Sequence, residues 1–253
     1  MLNVRLMSDL HTEFDRAGGE FHPGTGDVLV LAGDICVAAE YNEDTHRFFE
    51  QCVEGYNQVF YILGNHESYG STIKDAYFTL QDKLPEGITL MNNRSVLYRD
   101  VHFVGATLWS NQNNLDFETM QQSQSCMNDY YSITKEDGRT LSVLDTIDEH
   151  MFTRKWFEQC IPTLRGDVFM ITHHAPSPKS VKGRYVGNEG AYSTDLEDFI
   201  LKNTNIKHWV SGHVHESNDY TIGQCRMVSN PRGYNHMELN PNFNPTLDIQ
   251  VGT

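Results

Sequence analysis

Five short apolar runs are each followed by acidic, amide or imidazole side chains. In chain order, the runs and the polar residues after them are Val4–Met7 with Asp9 and His11, Val28–Ala32 with Asp34, Val59–Leu63 with Asn65, His66 and Glu67, Val168–Thr172 with His173 and His174, and His208–Ser211 with His213 and His215. Carboxylates, imidazoles and amide oxygens are groups that bind metal ions. If the runs are strands whose ends meet, five separate segments build one metal site.

The apolar runs have the length of buried strands, and helical patterns separate them. Val28–Ala32 and Val59–Leu63 are apolar or aromatic at every position, as in strands that are covered on both faces. Apolar residues spaced for one face of a helix occur over 43–55, 73–84 and about 145–160. This alternation favours an α/β layered fold, in which ligands bind outside the carboxyl ends of the strands. We therefore expect the five polar groups to converge on one crevice.

Additional strands are expected outside this alternating pattern. Ser95–Tyr98 and Val101–Ala106 have the composition of a hairpin around Arg99 and Asp100. Two further short strands are expected near Tyr220 and Met227. Because these strands interrupt the simple alternation of strand and helix, the sequence suggests more than one sheet.

Two long segments have little periodicity. Residues 108–143 are polar, and we interpret them as a cap-like excursion of a single domain that covers residues 1–253. Residues 175–192 are rich in Pro, Gly, Ser and Lys and are interpreted as a long loop. After that loop, Thr194 and Glu197 have the spacing of a capping box that would begin a short helix.

Composition limits the classes of protein to which the chain can belong. It has 253 residues, 34 of them acidic and 19 basic, for a formal net charge of −15 at pH 7. That charge repels polyanions, which weighs against nucleic acid and anionic membranes as partners. The five cysteines lack paired spacing, and no apolar stretch approaches the roughly 20 residues of a membrane span. The N-terminal residues lack the pattern of a signal peptide, so a cytoplasmic protein is expected, with its oligomeric state open.

The ligand types narrow the choice of metal. Carboxylate with imidazole and one amide oxygen suits Mn, Fe or Zn, and the absence of cysteine from the pattern argues against a closed structural zinc site. Seven candidate ligands are more than one open catalytic ion needs, and they suit two ions with Asp34 shared between them. Two ions about 3.5–4 Å apart can hold both oxygens of an in-line phosphoryl displacement. The ligand set therefore indicates phosphate-ester chemistry.

Together the five blocks resemble the calcineurin-like metallophosphoesterases. In the order that this family has them, the blocks are Asp9-x-His11, Gly33-Asp34, Gly64-Asn65-His66-Glu67, His173 and Gly212-His213-x-His215. The resemblance implies a four-layer α/β/β/α sandwich with two mixed β-sheets and two metal ions, with Mn favoured. It also implies one metal held by Asp9, His11, Asp34 and His215, and another held by Asp34, Asn65, His173 and His213.

A reaction and residue roles also follow from the resemblance. A metal-bridging hydroxide, held through Asp34, would attack the phosphorus of a small phosphorylated substrate, either a monoester or a nucleotide-type diester. His66 would lie beside the metals without ligating them and would donate a proton or hydrogen bond to the leaving group. The family often has Asp after this histidine, so Glu67 would orient the His66 ring with a longer side chain. Asn65 and Arg232 are the candidate substrate contacts.

Functional and structural interpretations stay open for three other features. Arg232 either binds an anionic group of the substrate through two of its guanidinium nitrogens or lies in a plain turn. Lys179, Lys182 and Arg184 form either a phosphate-recognition patch or part of a solvated loop. Residues 128–131 either cap the site or pack the excursion against the body of the protein.

Two other functions are alternatives to a two-metal phosphoesterase. A non-catalytic metal-binding scaffold of the same fold is expected to have lost metal ligands, whereas every predicted ligand position is filled here. A nuclease would need a basic stripe or an aromatic platform for the nucleic-acid strand, and the net charge of −15 argues against it. The favoured hypothesis is therefore an enzyme acting on a small molecule.

Overall fold

Two β-sheets stacked against each other form the centre of the computed structural model, which describes residues 1–15, 21–185 and 187–252, with the backbone alone for Arg184. With strands numbered in chain order, the first sheet contains β1 (Leu2–Met7), β2 (Gly26–Ala32), β3 (Tyr56–Ile62), β4 (Ile88–Met91) and β13 (Asp248–Val251). The order is β13-β1-β2-β3-β4, with β1 to β4 parallel and β13 antiparallel to β1. Parallel pairing places the carboxyl ends of β1, β2 and β3 at one edge.

The second sheet supplies the remaining site-bearing strands. It contains β5 (Arg94–Tyr98), β6 (Val101–Ala106), β7 (Asp167–Thr172), β8 (Ile206–Ser211), β9 (Asn218–Ile222) and β10 (Cys225–Ser229) in the order β5-β6-β7-β8-β10-β9. The four inner strands are parallel, and the two edge strands are antiparallel to their neighbours. Both sheets are therefore mixed, and β5 and β6 form the expected hairpin. A separate ribbon pairs β11 (Gly233–Tyr234) with β12 (Glu238–Leu239).

The helices include those that the sequence pattern predicts over 43–55, 73–84 and about 145–160, and several short ones that it does not. They are α1 (Glu43–Gly55), α2 (Ile73–Lys83), α3 (Phe117–Cys126), α4 (Asp129–Ser132), α5 (Val143–Cys160), α6 (Glu189–Tyr192) and α7 (Glu197–Lys202). α1 begins where Asn42 accepts hydrogen bonds from two backbone N–H groups, which is the usual N-cap arrangement. Within the described ranges, no helix has both the length and the apolar character needed to cross a bilayer. Residues 108–143, interpreted as an excursion with little periodicity, contain the short helices α3 and α4. Residues 175–192, interpreted as a loop, contain α6.

Three apolar layers hold the fold together. Between the sheets lie Phe60, Phe103, Phe169 and other buried side chains from both sheets. β2 shows why its run is apolar throughout, because alternate side chains point into this central layer and into the layer under α1 and α2. A third layer packs α5 and α7 against the outer face of the second sheet around Trp209. The result is the four-layer α/β/β/α sandwich, and each large apolar side chain so buried contributes about 1.5–3 kcal/mol.

The capping box predicted from Thr194 and Glu197 is wrong. α7 begins at Glu197, and the residue before it provides no side-chain cap. The Thr194 hydroxyl oxygen instead accepts a hydrogen bond from the backbone N–H of Asn111, at 3.0 Å. The Glu197 carboxylate accepts hydrogen bonds from the Ser177 hydroxyl (2.7 Å) and the Lys179 ammonium (2.6 Å). Thr194 and Glu197, which local spacing assigned to the start of the helix, thus form hydrogen bonds with residues distant in sequence instead of with each other.

Candidate metal centre

The predicted ligand side chains come together at the carboxyl ends of β1, β2, β3, β7 and β8. Three groups have ligand atoms within 4.8 Å of one another: Asp9 with His11 and His215, Asp34 with His173 and His213, and His11 with Asp34 and His66. Each of these side chains is at most 7% exposed. Segments from both sheets therefore meet in one buried polar cluster, as the sequence predicts.

Asp34 lies at the middle of this cluster. Its Oδ2 atom is 3.3 Å from His173 Nε2 and 3.8 Å from His11 Nε2, which belong to different groups. Its Oδ1 atom accepts a hydrogen bond from the backbone N–H of His66 at 2.9 Å. The carboxylate therefore lies between two of the groups of potential metal ligands.

Several donor atoms of the cluster fit a bound cation. Asp9 Oδ2 and His213 Nε2 are buried and have no hydrogen-bond partner among the residues that the structure describes. The Nε2 atoms of His11 and His215 face each other at 3.3 Å, and His215 Nε2 is 3.4 Å from Asp9 Oδ1. Buried polar atoms without partners are costly, and a metal ion between these nitrogens and oxygens would satisfy them.

Charge in the cluster keeps its carboxylates ionised. Burial acts to raise the pKa of Asp34, but the nearby histidines, His173 first, hold it well below its usual value. Burial likewise acts to lower the pKa of His173, but the Asp34 carboxylate raises it to about 10. Burial also acts to lower the pKa of His215, but its hydrogen bond to Asp9 raises it to about 9. Both shifts favour protonated imidazole rings beside the carboxylates in the metal-free cluster, and binding of a metal ion to these rings would release the protons.

The backbone at the ligands is held in an uncommon conformation. Asp9, His11, Asp34 and His213 have φ angles of 53°, 48°, 55° and 67°. Residues other than glycine rarely adopt this left-handed backbone conformation, and those that do are concentrated at functional sites. Hydrogen bonds from Asp9 N to Gly33 O and from His11 N to Asp34 O, each 3.0 Å long, fix the turn after β1 against the turn after β2.

Two glycines allow the strand ends to approach this closely. A Cβ atom on Gly64 would lie 2.1 Å from Asp34 Oδ1, and one on Gly33 would lie 2.5 Å from His173 Nδ1. Gly33 also has a φ angle of 86°, which disfavours other residues. The glycines of the second and third blocks are therefore required by close packing around the ligands.

The role implied for Glu67 as the residue that orients His66 is wrong. Glu67 is fully buried, and its carboxylate is bound elsewhere. It accepts hydrogen bonds of 2.7–3.0 Å from the backbone N–H groups of Asp34, Ile35 and Gly64 and from the Tyr61 hydroxyl. Burial, and then the charge of Asp34, raise the pKa of Glu67 to about 7. Glu67 thus ties together the two loops that carry Asp34 and His66.

Glu13 is the carboxylate that orients His66. Its Oε1 atom lies 3.1 Å from Nδ1 of both His66 and His11, and its side chain is 7% exposed. Burial acts to raise the pKa of Glu13, but hydrogen bonds with these two rings lower it. An ionised Glu13 accepts from both Nδ1–H groups and leaves Nε2 of His11 directed at Asp34 and His215. One signal in the sequence could have identified Glu13: it continues the alternation of Asp9 and His11 by a further acidic residue two positions later.

Asp129 joins the 108–143 excursion to the cluster. Its Oδ1 atom accepts hydrogen bonds from Asn65 Nδ2 at 2.7 Å and from the Tyr69 hydroxyl at 2.8 Å, and the residue is 2% exposed. Because Asp129 holds the amide nitrogen, Asn65 Oδ1 is turned toward His173, whose Nε2 is 2.9 Å away. The segment therefore positions a predicted ligand, and it also packs against the body through Tyr130.

We expect Asp129→Ala to weaken metal binding by about 10- to 100-fold, as the loss of carboxylates behind metal ligands generally does. Without this acceptor, the Asn65 amide is free to rotate away from the cluster. The measurement is a metal titration of metal-free protein that separates the two binding steps. Asp129→Asn should restore part of the affinity, because its amide oxygen can still accept from Asn65.

Asp137→Ala is the matched control, since it removes an exposed carboxylate of the same segment that pairs with Arg139. It should leave both metal-binding steps unchanged. Equal metal affinities in Asp129→Ala and Asp137→Ala would show that Asp129 does not position Asn65.

The structure places Arg232 against a carboxylate. Its two terminal nitrogens lie 2.9 and 3.1 Å from the carboxylate oxygens of Asp15, and one of them also donates to Leu10 O. The backbone N–H groups of Arg232 and Gly233 donate to Ser8 O and Asp9 O, each at 3.0 Å. The segment after β10 is therefore fastened to the end of β1, beside the metal ligands.

Of the basic residues in the 175–192 segment, Lys179 is paired with Glu197. The side chain of Arg184 lies outside the described residues, and Lys182 is exposed. The hypothesis of a phosphate-recognition patch therefore has one of its three cations already paired with a carboxylate.

One family model and one relative in sequence match most of this chain. The model of the calcineurin-like phosphoesterase family matches residues 2–217. "Uncharacterized protein L509" of Acanthamoeba polyphaga mimivirus is 30% identical over 282 residues, which cover 98% of this chain and 96% of that protein.

Solved structures with the same fold include phosphopantetheinyl hydrolase from Mycobacterium tuberculosis, with a TM-score of 0.70 and 15% identity over 92% of this chain and 89% of that one. TT1561 of Thermus thermophilus has a TM-score of 0.51 and 11% identity over 92% of this chain and 89% of that one. The family match covers the five blocks that form the buried cluster. The chain therefore belongs to the calcineurin-like phosphoesterase family.

Proposed function

We propose that this metallophosphoesterase uses two metal ions to hydrolyse the phosphate ester of a small molecule, either a monoester or a nucleotide-type diester. The observation that carries the proposal is the position of Asp34 between two ligand groups. One ion would be held by Asp9, His11, Asp34 and His215, and the other by Asp34, Asn65, His173 and His213. Mn, Fe and Zn all suit these donors, and Mn is favoured.

The bound ions would neutralise the charge of the phosphate and acidify a water molecule for attack on phosphorus. The chain itself supplies the arrangement around them. Asp34 keeps the two groups together, and the Asn65 amide oxygen adds a neutral donor beside His173 in the second group. Because the whole cluster is buried, its charges act in a medium that screens them weakly.

We infer that His66 assists departure of the leaving group, and its contacts support this role. Its Nδ1 is held by Glu13, its Nε2 is 3.2 Å from the Tyr234 hydroxyl, and its ring stacks on Tyr69 at a centroid distance of 4.1 Å. Burial acts to lower the pKa of His66, but the charges of Asp34 and Glu13 more than offset this and raise it. A raised pKa favours the protonated form of the ring, which is the form that a general acid needs.

The proposal is tested with purified protein that has been stripped by a chelator and then reloaded with Mn²⁺. A panel of phosphomonoesters, cyclic nucleotides and dinucleotides should be hydrolysed by the reloaded protein and not by the stripped one. Metal analysis should give about two ions per chain. A circular dichroism spectrum of the stripped protein serves as the control for folding. Full activity after chelation would disprove the proposal, and fewer than one ion per chain would favour the non-catalytic scaffold.

A further inference from the structure

The Tyr234 hydroxyl covers the Nε2 edge of the His66 ring. Its oxygen is 3.2 Å from His66 Nε2, and the opposite ring nitrogen is bound to Glu13. Both nitrogens of His66 are therefore engaged within the described structure, and a leaving oxygen that approaches this edge meets the phenol first.

Packing fixes the Tyr234 ring over one of the two ligand groups. The ring centroid is 4.5 Å from that of His11 and 4.6 Å from that of His215. Phe14 contacts the Tyr234 ring edge-on at 5.3 Å. The phenol thus lies directly against side chains proposed to hold one metal ion, which under the proposed function would bind the phosphate.

The backbone around Tyr234 is also tethered. Tyr234 ends the short strand β11, which pairs with β12. Immediately before it, Gly233 N–H donates to Asp9 O, and the Arg232 guanidinium is bound to Asp15. These contacts hold the hydroxyl in place before substrate arrives, which a catalytic group requires.

We propose that Tyr234 is a catalytic residue that delivers the proton to the leaving oxygen, with His66 as the group that reprotonates it; this inference rests on the proposed function. As the bond between phosphorus and the leaving oxygen breaks, the Tyr234 O–H proton moves to that oxygen. The His66 Nε2–H proton moves to the Tyr234 oxygen, so that the phenol is restored and His66 becomes neutral. Glu13 stays ionised and keeps the Nδ1–H of His66 in place. Solvent returns the proton to His66 before the next turnover.

The test compares wild type with Tyr234→Phe on two esters of the class that the enzyme hydrolyses, one with a 4-nitrophenyl and one with an alkyl leaving group. A nitrophenolate ion can leave without receiving a proton, whereas an alkoxide must be protonated as it leaves. We therefore expect kcat to fall by about 100-fold on the alkyl ester and by less than about threefold on the nitrophenyl ester. Tyr98→Phe, which alters a tyrosine of the edge strand β5 at the end of the second sheet opposite the ligands, should change neither rate.

A second measurement uses metal-free protein and does not depend on activity. The ¹⁵N NMR signal of His66 Nε2 should shift in Tyr234→Phe, while the signals of His173 and His213 stay in place. Equal losses on both esters, or no loss on either, would overturn the proton relay from His66 through Tyr234 to the leaving oxygen, while leaving the proposed function intact. An unshifted Nε2 signal would overturn it as well. A wild type inactive on every ester would overturn the proposed function and the relay together.

Discussion

Asp34→Asn is expected to lower kcat/KM by about 10³-fold or more, which corresponds to about 4 kcal/mol of transition-state stabilisation. The asparagine has the same shape but lacks the charge that attracts two cations. Since Asp34 Oδ2 lies near both His173 and His11, its loss weakens both ligand groups together. Metal analysis should show a fall from about two ions to one or fewer per chain.

The substitution should leave the fold intact. The amide oxygen that takes the place of Asp34 Oδ1 can still accept the hydrogen bond from His66 N–H, which is 2.9 Å long in the native protein. Asp137→Asn is the matched control, because it removes one negative charge from a carboxylate whose side chain is 48% exposed. If Asp34→Asn keeps both ions and most of its activity while folded, Asp34 is not a shared ligand.

The sequence predicts most of the framework that holds the site, for a clear physical reason. A strand covered on both faces must be apolar at consecutive positions, so runs such as Val28–Ala32 are visible without any alignment. Parallel strands place their carboxyl ends at a common edge, which makes the residues after each run neighbours in space. Asp34 and His173 meet for this reason, although 139 positions separate them in the chain.

The residues that support the ligands could not be predicted in the same way. Asp129 lies in a segment without periodicity, and its contact with Asn65 joins positions 64 apart. Tyr234 contacts His66 across 168 positions. Asp129 and Tyr234 follow none of the five apolar runs and lie far in sequence from their partners, so no pattern of spacing encodes either pairing. These contacts depend on how the excursion and the segment after β10 fold back on the sandwich.

Local rules also assigned roles that long-range partners changed. Glu67 follows His66 directly, yet its carboxylate binds the backbone of the β2 and β3 loops, and Glu13 holds the ring. Arg232 was a reasonable candidate for binding an anion, because guanidinium matches phosphate geometry. In the structure, the anion that Arg232 binds is the carboxylate of Asp15, a residue of the same chain. A charged side chain is thus assigned correctly only when all its competing partners are known.

His66→Ala is expected to lower kcat by about 10²- to 10⁴-fold while leaving the metal content near two ions per chain. The ring is close enough to His11 and Asp34 to be considered a ligand. Its nitrogens, however, are directed at Glu13 and at the Tyr234 hydroxyl, at 3.1 and 3.2 Å. A side chain whose two nitrogens are already engaged acts on the proton of the leaving group and contributes little to metal binding.

Two measurements separate these roles. Steady-state kinetics with the alkyl ester should show the large loss, and added imidazole should restore part of it by entering the space left by the ring. Metal analysis should match that of His46→Ala, a control in which the removed side chain is 42% exposed. Loss of an ion from His66→Ala, with no rescue by imidazole, would instead make His66 a ligand. In that case Glu13 would orient two metal-binding rings through one oxygen, and the proton that restores the Tyr234 hydroxyl would have to come from another group.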